Sequence, residues 1–346
     1  MHLRPVIFLS LLLAVPALGI KVYIFGDSLS DTGNVFSASG GIYPPAPYYQ
    51  GRFSNGKVWV EHLAAELGSP ADAEARLNGG RNYALGGSET TNTLTSQLTT
   101  FQIDLGFNQL NSADVCILWI GGNDILNGES AVPADMIDRV ENFIDTLMLR
   151  NARKFILVNL PDLSKLPPEI GTPNAAQTRA RSIDYNTRLA TLIAGINTQS
   201  GQSAVLIDIF SMFEEITAHP QAYGFVTSTQ FAYDRGTGAL VPNPHEFIFW
   251  DDRHPTATTH RLIGQLAAQV YLKRTSFMPI HVGQFAGNLV ASWLLPWDLT
   301  NLQVEQSTTL PSGSWQNIGP AQPASSRFFS ISQPIATGKN FFRLRR

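Results

Sequence analysis

A serine follows an apolar segment near the start of the chain, in the sequence Phe25-Gly26-Asp27-Ser28. The apolar residues predict a strand, and the glycine at its end permits a tight turn that presents Ser28 just beyond the strand. A serine in that position can act as a nucleophile if a neighbouring base removes its proton. Gly-Asp-Ser is also typical of ordinary turns and helix caps, so this segment alone does not establish an active site.

A histidine that could serve as this base occurs near the end of the main part of the chain. His254 lies in Asp251-Asp252-Arg253-His254-Pro255. A short loop can fold the carboxylate of Asp251 back onto one imidazole nitrogen, which fixes the tautomer and leaves the other nitrogen for a serine. The alternative is a helix N-terminus with an incidental histidine. Among the other histidines, His260 on the closing helix is the main rival to His254.

Two glycine-rich segments could supply hydrogen-bond donors to a developing negative charge. The first contains Gly86-Gly87 in RNYALGGSET, and the second is Gly121-Gly122-Asn123-Asp124. Glycine backbone N–H groups and asparagine amides are usual parts of an oxyanion hole. Taken singly, each segment is also consistent with a loop rich in turn residues.

Together and in chain order, these segments resemble the four signature blocks of the GDSL, or SGNH, hydrolase family. The family residues serine, glycine, asparagine and histidine match Ser28 in GDSLSDTGN, Gly87 in NYALGGS, Asn123 in GGND and His254 in DDRHP. Gly87 matches better than Gly86, although the glycine pair leaves this choice open by one residue. GRFSNGKVWVEHLA and FIFWDDRHPTATTHRLIG look like the secreted lipase and esterase branch of the family.

The resemblance implies a specific chemistry. It implies a catalytic triad of Ser28, Asp251 and His254, and an oxyanion hole formed by the backbone N–H groups of Ser28 and Gly87 and the side chain of Asn123. It implies no metal and no cofactor. The expected activity is hydrolysis of carboxylic esters through an acyl-enzyme on Ser28. An acyltransferase that uses the same site and a carbohydrate acetyl esterase with a binding module are the alternatives, and a binding module with a decayed site is disfavoured because all four block residues are present.

The elements that must position these residues alternate along the chain. KVYIFGDS, DVCILWIGG, RKFILVNLPD and SAVLIDI read as strands, and helical segments with apolar periodicity separate them. This alternation predicts an α/β fold with a mainly parallel sheet covered on both faces. The resemblance makes it the three-layer α/β/α, flavodoxin-like fold of SGNH hydrolases. Such sheets bind ligands beyond the carboxyl ends of their strands, which is where the GDS and GGND turns fall. Cys116, within an apolar strand, is expected to fill the core.

Composition and segment boundaries predict three parts. Residues 1–19, MHLRPVIFLSLLLAVPALG, have the pattern of a signal peptide, and their apolar run is too short for the alternative of a membrane anchor. Residues 20–276 form the predicted hydrolase domain. Residues 277–346 lack convincing helices and predict a small all-β module, whose aromatic residues could form its core or a carbohydrate platform. We therefore expect a secreted or periplasmic bacterial protein.

The remaining expectations concern partners. The 346 residues are 44% hydrophobic and 15% charged, with a formal net charge of -3, which suits a folded protein and gives no reason to expect a nucleic acid partner. We expect a monomer that acts on a small-molecule, lipid or acylated-sugar ester, with no transmembrane anchor. The single cysteine excludes an internal disulfide.

Several polar and aromatic residues are given secondary roles. Asp27, Asp31 and Asn34 are expected to make turn and cap hydrogen bonds, and Asp124 and Asp252 to be structural. The loop after Ser28 carries aromatic residues that could either line a substrate pocket or pack on one another. These residues are Phe36, Tyr43, Tyr48, Tyr49 and Phe53.

Overall fold

The computed structural model describes residues 19–128 and 131–273, together with the C-terminal segments 279–285, 288–294, 303–307, 315–320, 322–323, 328–334 and 341–345. The predicted signal peptide lies outside the described residues except for Gly19. Its cleavage therefore stays a prediction.

A parallel sheet forms the centre of the fold. Its strands are β1 (Val22–Gly26), β2 (Val115–Trp119), β3 (Lys154–Val158) and β4 (Ser203–Ile207), paired in that order. Every residue of β1 and β2 is buried. Burial at successive positions means that both faces of these strands are covered, as continuous apolar strands in a parallel sheet require.

The sheet extends beyond β1 through the segment 81–85. Tyr83 N donates to Ile24 O at 2.7 Å and Leu85 N donates to Gly26 O at 3.1 Å, so this segment runs parallel to β1 on the side away from β2. The chain thus leaves β1 in one direction and then crosses back over β1 to reach β2. The winding direction reverses at β1, and a crevice at the carboxyl ends of the strands follows from that reversal.

Helices cover both faces of the sheet. Because crossovers between parallel strands are right-handed, the helices that precede β2, β3 and β4 lie on one face, where α5 packs against α3 and α6. The connection from β1 to the segment 81–85 runs the other way and puts α2 on the opposite face, against α8. The bounds are α1 Asn34–Ala38, α2 Trp59–Glu66, α3 Asn92–Leu105, α4 Gly122–Asn127, α5 Pro133–Leu149, α6 Ala175–Thr198, α7 Ile209–Ala218 and α8 Ala257–Tyr271. The predicted α/β fold with a mainly parallel sheet is confirmed.

Some elements were not predicted from the sequence. They include the helices α1, α3, α4 and α7 and a small parallel pair, β5 (Thr227–Phe231) and β6 (Phe247–Phe249). The sequence of α3 is NTLTSQLTTFQIDL, in which threonine lowers the helix propensity and apolar residues are sparse. Burial of Leu94, Gln97 and Phe101 against the sheet stabilises this helix in spite of its weak local signal.

The C-terminal strands pair with one another in antiparallel sheets. β7 (Pro279–Phe285) and β8 (Asn288–Leu294) join β11 (Gln322–Pro323) and β12 (Phe328–Pro334) in one sheet. The second sheet contains β9 (Gln303–Ser307), β10 (Gln316–Pro320) and β13 (Phe341–Arg345). The backbone of β7 and β8 passes beside residues 220–223. None of these strands joins the parallel sheet of β1 to β4.

In the part of the chain that the structure describes, no helix combines the length and apolarity needed to cross a bilayer.

We propose that residues 277–346 are a separate β-module, and deletion from Pro279 onward tests this division. We expect the shortened chain to stay soluble and to unfold cooperatively, because the parallel sheet and its helices are complete without it. Loss of the strands beside residues 220–223 should lower Tm by no more than about 5 °C. Thermal unfolding followed by circular dichroism measures both. An insoluble product, or one without a cooperative transition, would contradict the division.

Candidate active site

The end of β1 is held in a fixed geometry that presents Ser28. Gly26 has a φ of 143°, and a side chain there would collide with the carbonyl oxygen of Trp119. The side-chain amide of Gln97 donates to Gly26 O at 2.7 Å and accepts from Gly26 N at 3.0 Å. The carbonyl of Asp27 then accepts from two backbone N–H groups further along, which closes the turn around Ser28. The nucleophile candidate therefore stands on a rigid turn at the end of a buried strand.

Ser28, His254 and Asp251 form a hydrogen-bonded series, with His254 in the middle. Ser28 Oγ is 2.9 Å from His254 Nε2, and His254 Nδ1 is 2.9 Å and 2.8 Å from the two carboxylate oxygens of Asp251. The side chain of Asp251 is completely buried, whereas Ser28 and His254 are each 8% exposed. The serine and histidine can therefore meet a ligand, and the carboxylate cannot.

The loop between β6 and α8 produces this arrangement locally. Trp250 N donates to His254 O at 2.7 Å, which closes a tight loop, and the Thr256 hydroxyl caps α8 by accepting from Thr259 N. Inside the loop, Asp251 Oδ1 accepts from His254 N at 2.8 Å. The spacing of three residues thus folds the carboxylate back onto its own histidine.

Asp251 is surrounded by hydrogen-bond donors. Its Oδ1 also accepts from Arg253 N at 2.8 Å, and its Oδ2 accepts from the hydroxyl of Tyr48 at 2.5 Å. Arg235 Nε lies 4.0 Å from Oδ2. Burial acts to raise the pKa of Asp251, but the neighbouring His254 and the donated hydrogen bonds outweigh burial and hold the pKa well below its usual range. The carboxylate therefore stays ionised beside His254.

Of the predicted oxyanion residues, Ser28 and Asn123 line one recess, and Gly87 directly precedes Ser88, which Asn123 contacts. The amide of Asn123 donates one hydrogen bond to Ser88 O at 2.9 Å, which leaves its second N–H for another acceptor. Gly86 N donates to Asp31 Oδ2 at 2.9 Å and is therefore occupied. Within residues 19–128 and 131–273, no acceptor is found for the backbone N–H groups of Gly87 and Ser28. This difference between the two glycines favours Gly87 as the oxyanion donor, in agreement with its better match to the family's signature block.

Neighbouring polar side chains hold these loops. Asp31 accepts from the backbone N–H groups of Gly33 at 2.8 Å and Asn34 at 2.6 Å, and so joins the first turn of α1 to the Gly86 loop. Asp124 accepts from Thr90 N and from the Thr90 hydroxyl. Asp252 pairs with Arg235. These contacts agree with the structural roles expected for the three carboxylates.

Asp27, directly before the nucleophile, lies in an apolar environment. Its side chain is 3% exposed, and one oxygen accepts from Leu29 N at 2.9 Å. Burial raises the pKa of Asp27 to about 7, with a further upward contribution from Asp124 and a downward one from His254. This carboxyl therefore titrates closer to neutral pH than an exposed aspartate does.

An apolar recess opens beside Ser28 and Asn123. Its walls are formed by the loop after β3, the helices α4 and α7, and the strand β6. The apolar lining includes Leu126, Leu160, Leu163, Leu166, Phe213 and Phe249. Such a recess can accommodate an apolar group attached to the atom that Ser28 attacks. The sequence did not identify it, because its residues are far apart in the chain.

The aromatic loop after Ser28 packs against the other side of the site. The ring of Phe53 lies 5.3 Å from the imidazole of His254, and Tyr48 reaches Asp251. Tyr43 and Tyr49 are exposed. No aromatic residue of this loop lines the recess. The sequence left open whether these aromatic residues line a pocket or pack on one another. Phe53 and Tyr48 pack on one another, and they also contact His254 and Asp251, respectively.

Two other candidates lie away from the site. His260 is fully buried between α8 and α2, where its Nδ1 accepts from Trp59 N at 3.3 Å, and burial lowers its pKa to about 3. Cys116 is buried in β2, where burial raises its pKa. Among the described residues, no group of three or more His, Cys, Asp or Glu side chains is arranged to hold a metal ion.

Comparison with known proteins identifies relatives of this chain. Residues 22–267 match the model of the family described as GDSL-like lipase/acylhydrolase. The chain is 30% identical over 272 residues to the thermolabile hemolysin of Vibrio parahaemolyticus, covering 71% of this chain and 62% of the hemolysin. It is 26% identical over 319 residues to the phosphatidylcholine-sterol acyltransferase of Aeromonas hydrophila, covering 75% and 92%. It is 25% identical over 325 residues to GDSL esterase/lipase 6 of Arabidopsis thaliana, covering 76% and 89%. The chain thus spans less than two thirds of the hemolysin but most of the other two relatives.

The buried carboxyl of Asp27 predicts a pH-dependent gain in stability for Asp27→Asn. A carboxyl whose pKa is raised on folding destabilises the folded state progressively as pH rises from about 4 to about 7, because the unfolded chain ionises first. The amide is neutral at all these pH values and can still accept from Leu29 N. Relative to the wild type, Asp27→Asn should therefore gain stability from pH 4 to pH 7 and then level off.

Urea unfolding of both proteins at several pH values between 4 and 8 measures this difference. All other titrating groups are shared, so their contributions largely cancel. A stability difference that does not change with pH would contradict the raised pKa of Asp27.

Proposed function

Because the chain belongs to the GDSL-like lipase/acylhydrolase family, we propose that it is a serine ester hydrolase in which Ser28 is the nucleophile and His254 the general base. The observation that carries this proposal is the continuous hydrogen-bonded series from the buried Asp251 through His254 to Ser28 Oγ. Nucleophile, base and orienting carboxylate in mutual contact are the requirement for acyl transfer through a serine.

The first half of the reaction forms the acyl-enzyme. His254 Nε2 takes the proton from Ser28 Oγ as that oxygen attacks the ester carbonyl carbon. The imidazole becomes positively charged, and the ionised carboxylate of Asp251 stabilises it and holds Nδ1. The alcohol departs with the proton from Nε2, and the acyl group stays on Ser28.

The oxyanion formed by this attack needs donors that are already in place. The free N–H groups of Ser28 and Gly87 and the second amide hydrogen of Asn123 are the proposed donors. Asn123 is held by its bond to Ser88 O, and the Gly87 loop by Gly86 N on Asp31. Donors fixed in this way need little reorganisation during the reaction, which is the basis of their catalytic contribution.

The second half releases the acid. His254 Nε2 takes a proton from water as the water oxygen attacks the acyl carbon. The bond from that carbon to Ser28 Oγ then breaks, and the proton passes from Nε2 to Oγ, which releases the acid and regenerates Ser28. The apolar lining of the recess beside Ser28 suits the apolar part of an acyl group. We therefore propose fatty acyl esters, including lipids, as the substrate class.

An acyltransferase is the second candidate, and a relative with that name supports it. In this reaction another alcohol takes the place of water at the acyl-enzyme, and the site residues keep their roles. Acid release in the absence of any alcohol other than the leaving group distinguishes the two activities. Ester formation that exceeds acid release when an alcohol acceptor is added would favour the transferase.

The proposed location of the protein is outside the cytoplasm. The residue pattern of positions 1–19 and the name of the hemolysin relative support export, and we propose a secreted or periplasmic location on these grounds.

Ser28→Ala tests the nucleophile. We expect hydrolysis of nitrophenyl esters to fall by about 10⁴-fold to 10⁶-fold while the melting profile is kept, because no other group can form the acyl-enzyme. Ser96→Ala on the exposed side of α3 is the matched control and should keep full activity. A series of acyl chain lengths measured on the wild type should show a higher kcat/KM for longer chains than for acetate. Near-normal turnover by Ser28→Ala would overturn the proposal.

Asn123→Ala tests the oxyanion donor. If the amide meets the oxyanion only in the transition state, kcat should fall by about 10²-fold to 10³-fold with little change in KM. Asn142→Ala, which removes an exposed amide on α5, controls for the loss of an asparagine side chain. A change confined to KM would mean that Asn123 binds the substrate without stabilising the transition state.

A further inference from the structure

The hydroxyl of Tyr48 contacts the carboxylate on which the proposed active site depends. Tyr48 lies in the loop after the nucleophile, 203 residues before Asp251, and donates to Asp251 Oδ2 at 2.5 Å. Oδ1 of the same carboxylate accepts from two backbone N–H groups of its own loop. Tyr48 is therefore a donor from outside that loop, and it binds the oxygen that lies 2.8 Å from His254 Nδ1.

The direction of this hydrogen bond is fixed. Burial and the neighbouring Asp251 raise the pKa of Tyr48, so the hydroxyl keeps its proton and acts as the donor. Asp251 is fully buried, and water cannot easily replace a lost donor there. The guanidinium of Arg235 is 4.0 Å from Oδ2 and pairs with Asp252. Among the described residues, the charged and titratable groups that contact Asp251 are thus His254, Tyr48 and Arg235.

The ring of Tyr48 has packing contacts that are separate from those of its hydroxyl. It meets Tyr233 and Trp250 edge-on, with centroids 5.7 Å and 6.0 Å away. Phe53, from the same loop as Tyr48, lies 6.4 Å from Tyr48 and 5.3 Å from the imidazole of His254. Removal of the hydroxyl alone leaves this aromatic cluster able to form.

We propose that Tyr48 is a positioning residue that holds Asp251 in the orientation that His254 requires. The proposal rests on the proposed function of Ser28, His254 and Asp251. Without the hydroxyl, one oxygen of a buried carboxylate loses a charge-assisted hydrogen bond, and the carboxylate is free to turn away from Nδ1. The loop after the nucleophile thereby supports the chemistry of a residue at the far end of the domain.

Tyr48→Phe is the first test. We expect kcat on a soluble nitrophenyl ester to fall by roughly 10-fold to 100-fold, with KM within about twofold of the wild type. Tyr233→Phe removes a hydroxyl from the same aromatic cluster and should leave kcat unchanged. Titration of competent sites with a small organophosphate counts the molecules that have a functional Ser28. The kcat per competent site stays interpretable even if part of a variant misfolds.

The second test asks whether Tyr48 acts through Asp251. In an Asp251→Asn background, which itself should cost about 10⁴-fold, Tyr48→Phe should change kcat per competent site by less than about twofold. A residue with a merely structural role would cause the same loss in both backgrounds.

The outcomes separate this proposal from the proposed function. If Ser28→Ala is inactive and Tyr48→Phe has normal kcat, only the role of Tyr48 is wrong. If Tyr48→Phe lowers kcat equally in both backgrounds, the hydroxyl does not act through Asp251 and the proposal is overturned. If Ser28→Ala turns over normally, the proposed function itself fails. A loss confined to the wild-type background supports Tyr48 as the positioning residue.

Discussion

The arrangement of the site depends on one constraint, the complete burial of the ionised Asp251 carboxylate. An ionised carboxyl removed from water is costly unless hydrogen bonds and an opposite charge compensate it. Here the compensation comes from the β6–α8 loop, through two backbone N–H groups and the imidazole, and from the loop after β1, through Tyr48. Two segments that are distant in sequence must therefore meet at this carboxylate for the domain to fold with its charge satisfied, and their meeting brings His254 to Ser28.

The topology of the sheet explains why the other groups gather at the same point. The winding direction reverses at β1, so the loops after β1, after the segment 81–85 and after β2 leave adjacent strands at one edge. These three loops carry Ser28, Gly87 and Asn123. A nucleophile and its oxyanion donors therefore come from neighbouring strand ends, and the base comes from the loop between β6 and α8.

The sequence signals that predict the fold and the candidate site are local. Continuous apolar strands, a glycine before Ser28 and the three-residue spacing of Asp251 and His254 all act within a few residues, and the structure has each of these features. The missed features are contacts across long separations. Gln97 makes two hydrogen bonds to the backbone of Gly26, which is 71 residues away. Its helix α3 has a threonine-rich sequence, and packing of its buried residues stabilises it. Tyr48 was noticed only as one of several loop aromatics, since nothing near it in sequence points to Asp251. The bond from Gly86 to Asp31, which favours Gly87 as the proposed donor, also joins residues 55 positions apart.

The apolar recess has polar supports of its own in this fold. The recess is lined by the loop after β3, which begins a short helical turn at Leu163 and is capped by the side chain of Asp162. Asp162 pairs with Arg179 of α6, which also pairs with Glu214 of α7 at 2.9 Å. These ion pairs join the recess walls to one another and make no contact with the hydrogen-bonded series of Asp251, His254 and Ser28. Among the described residues, the two networks share no polar partner, so a change in these ion pairs removes no hydrogen bond from Ser28, His254 or Asp251.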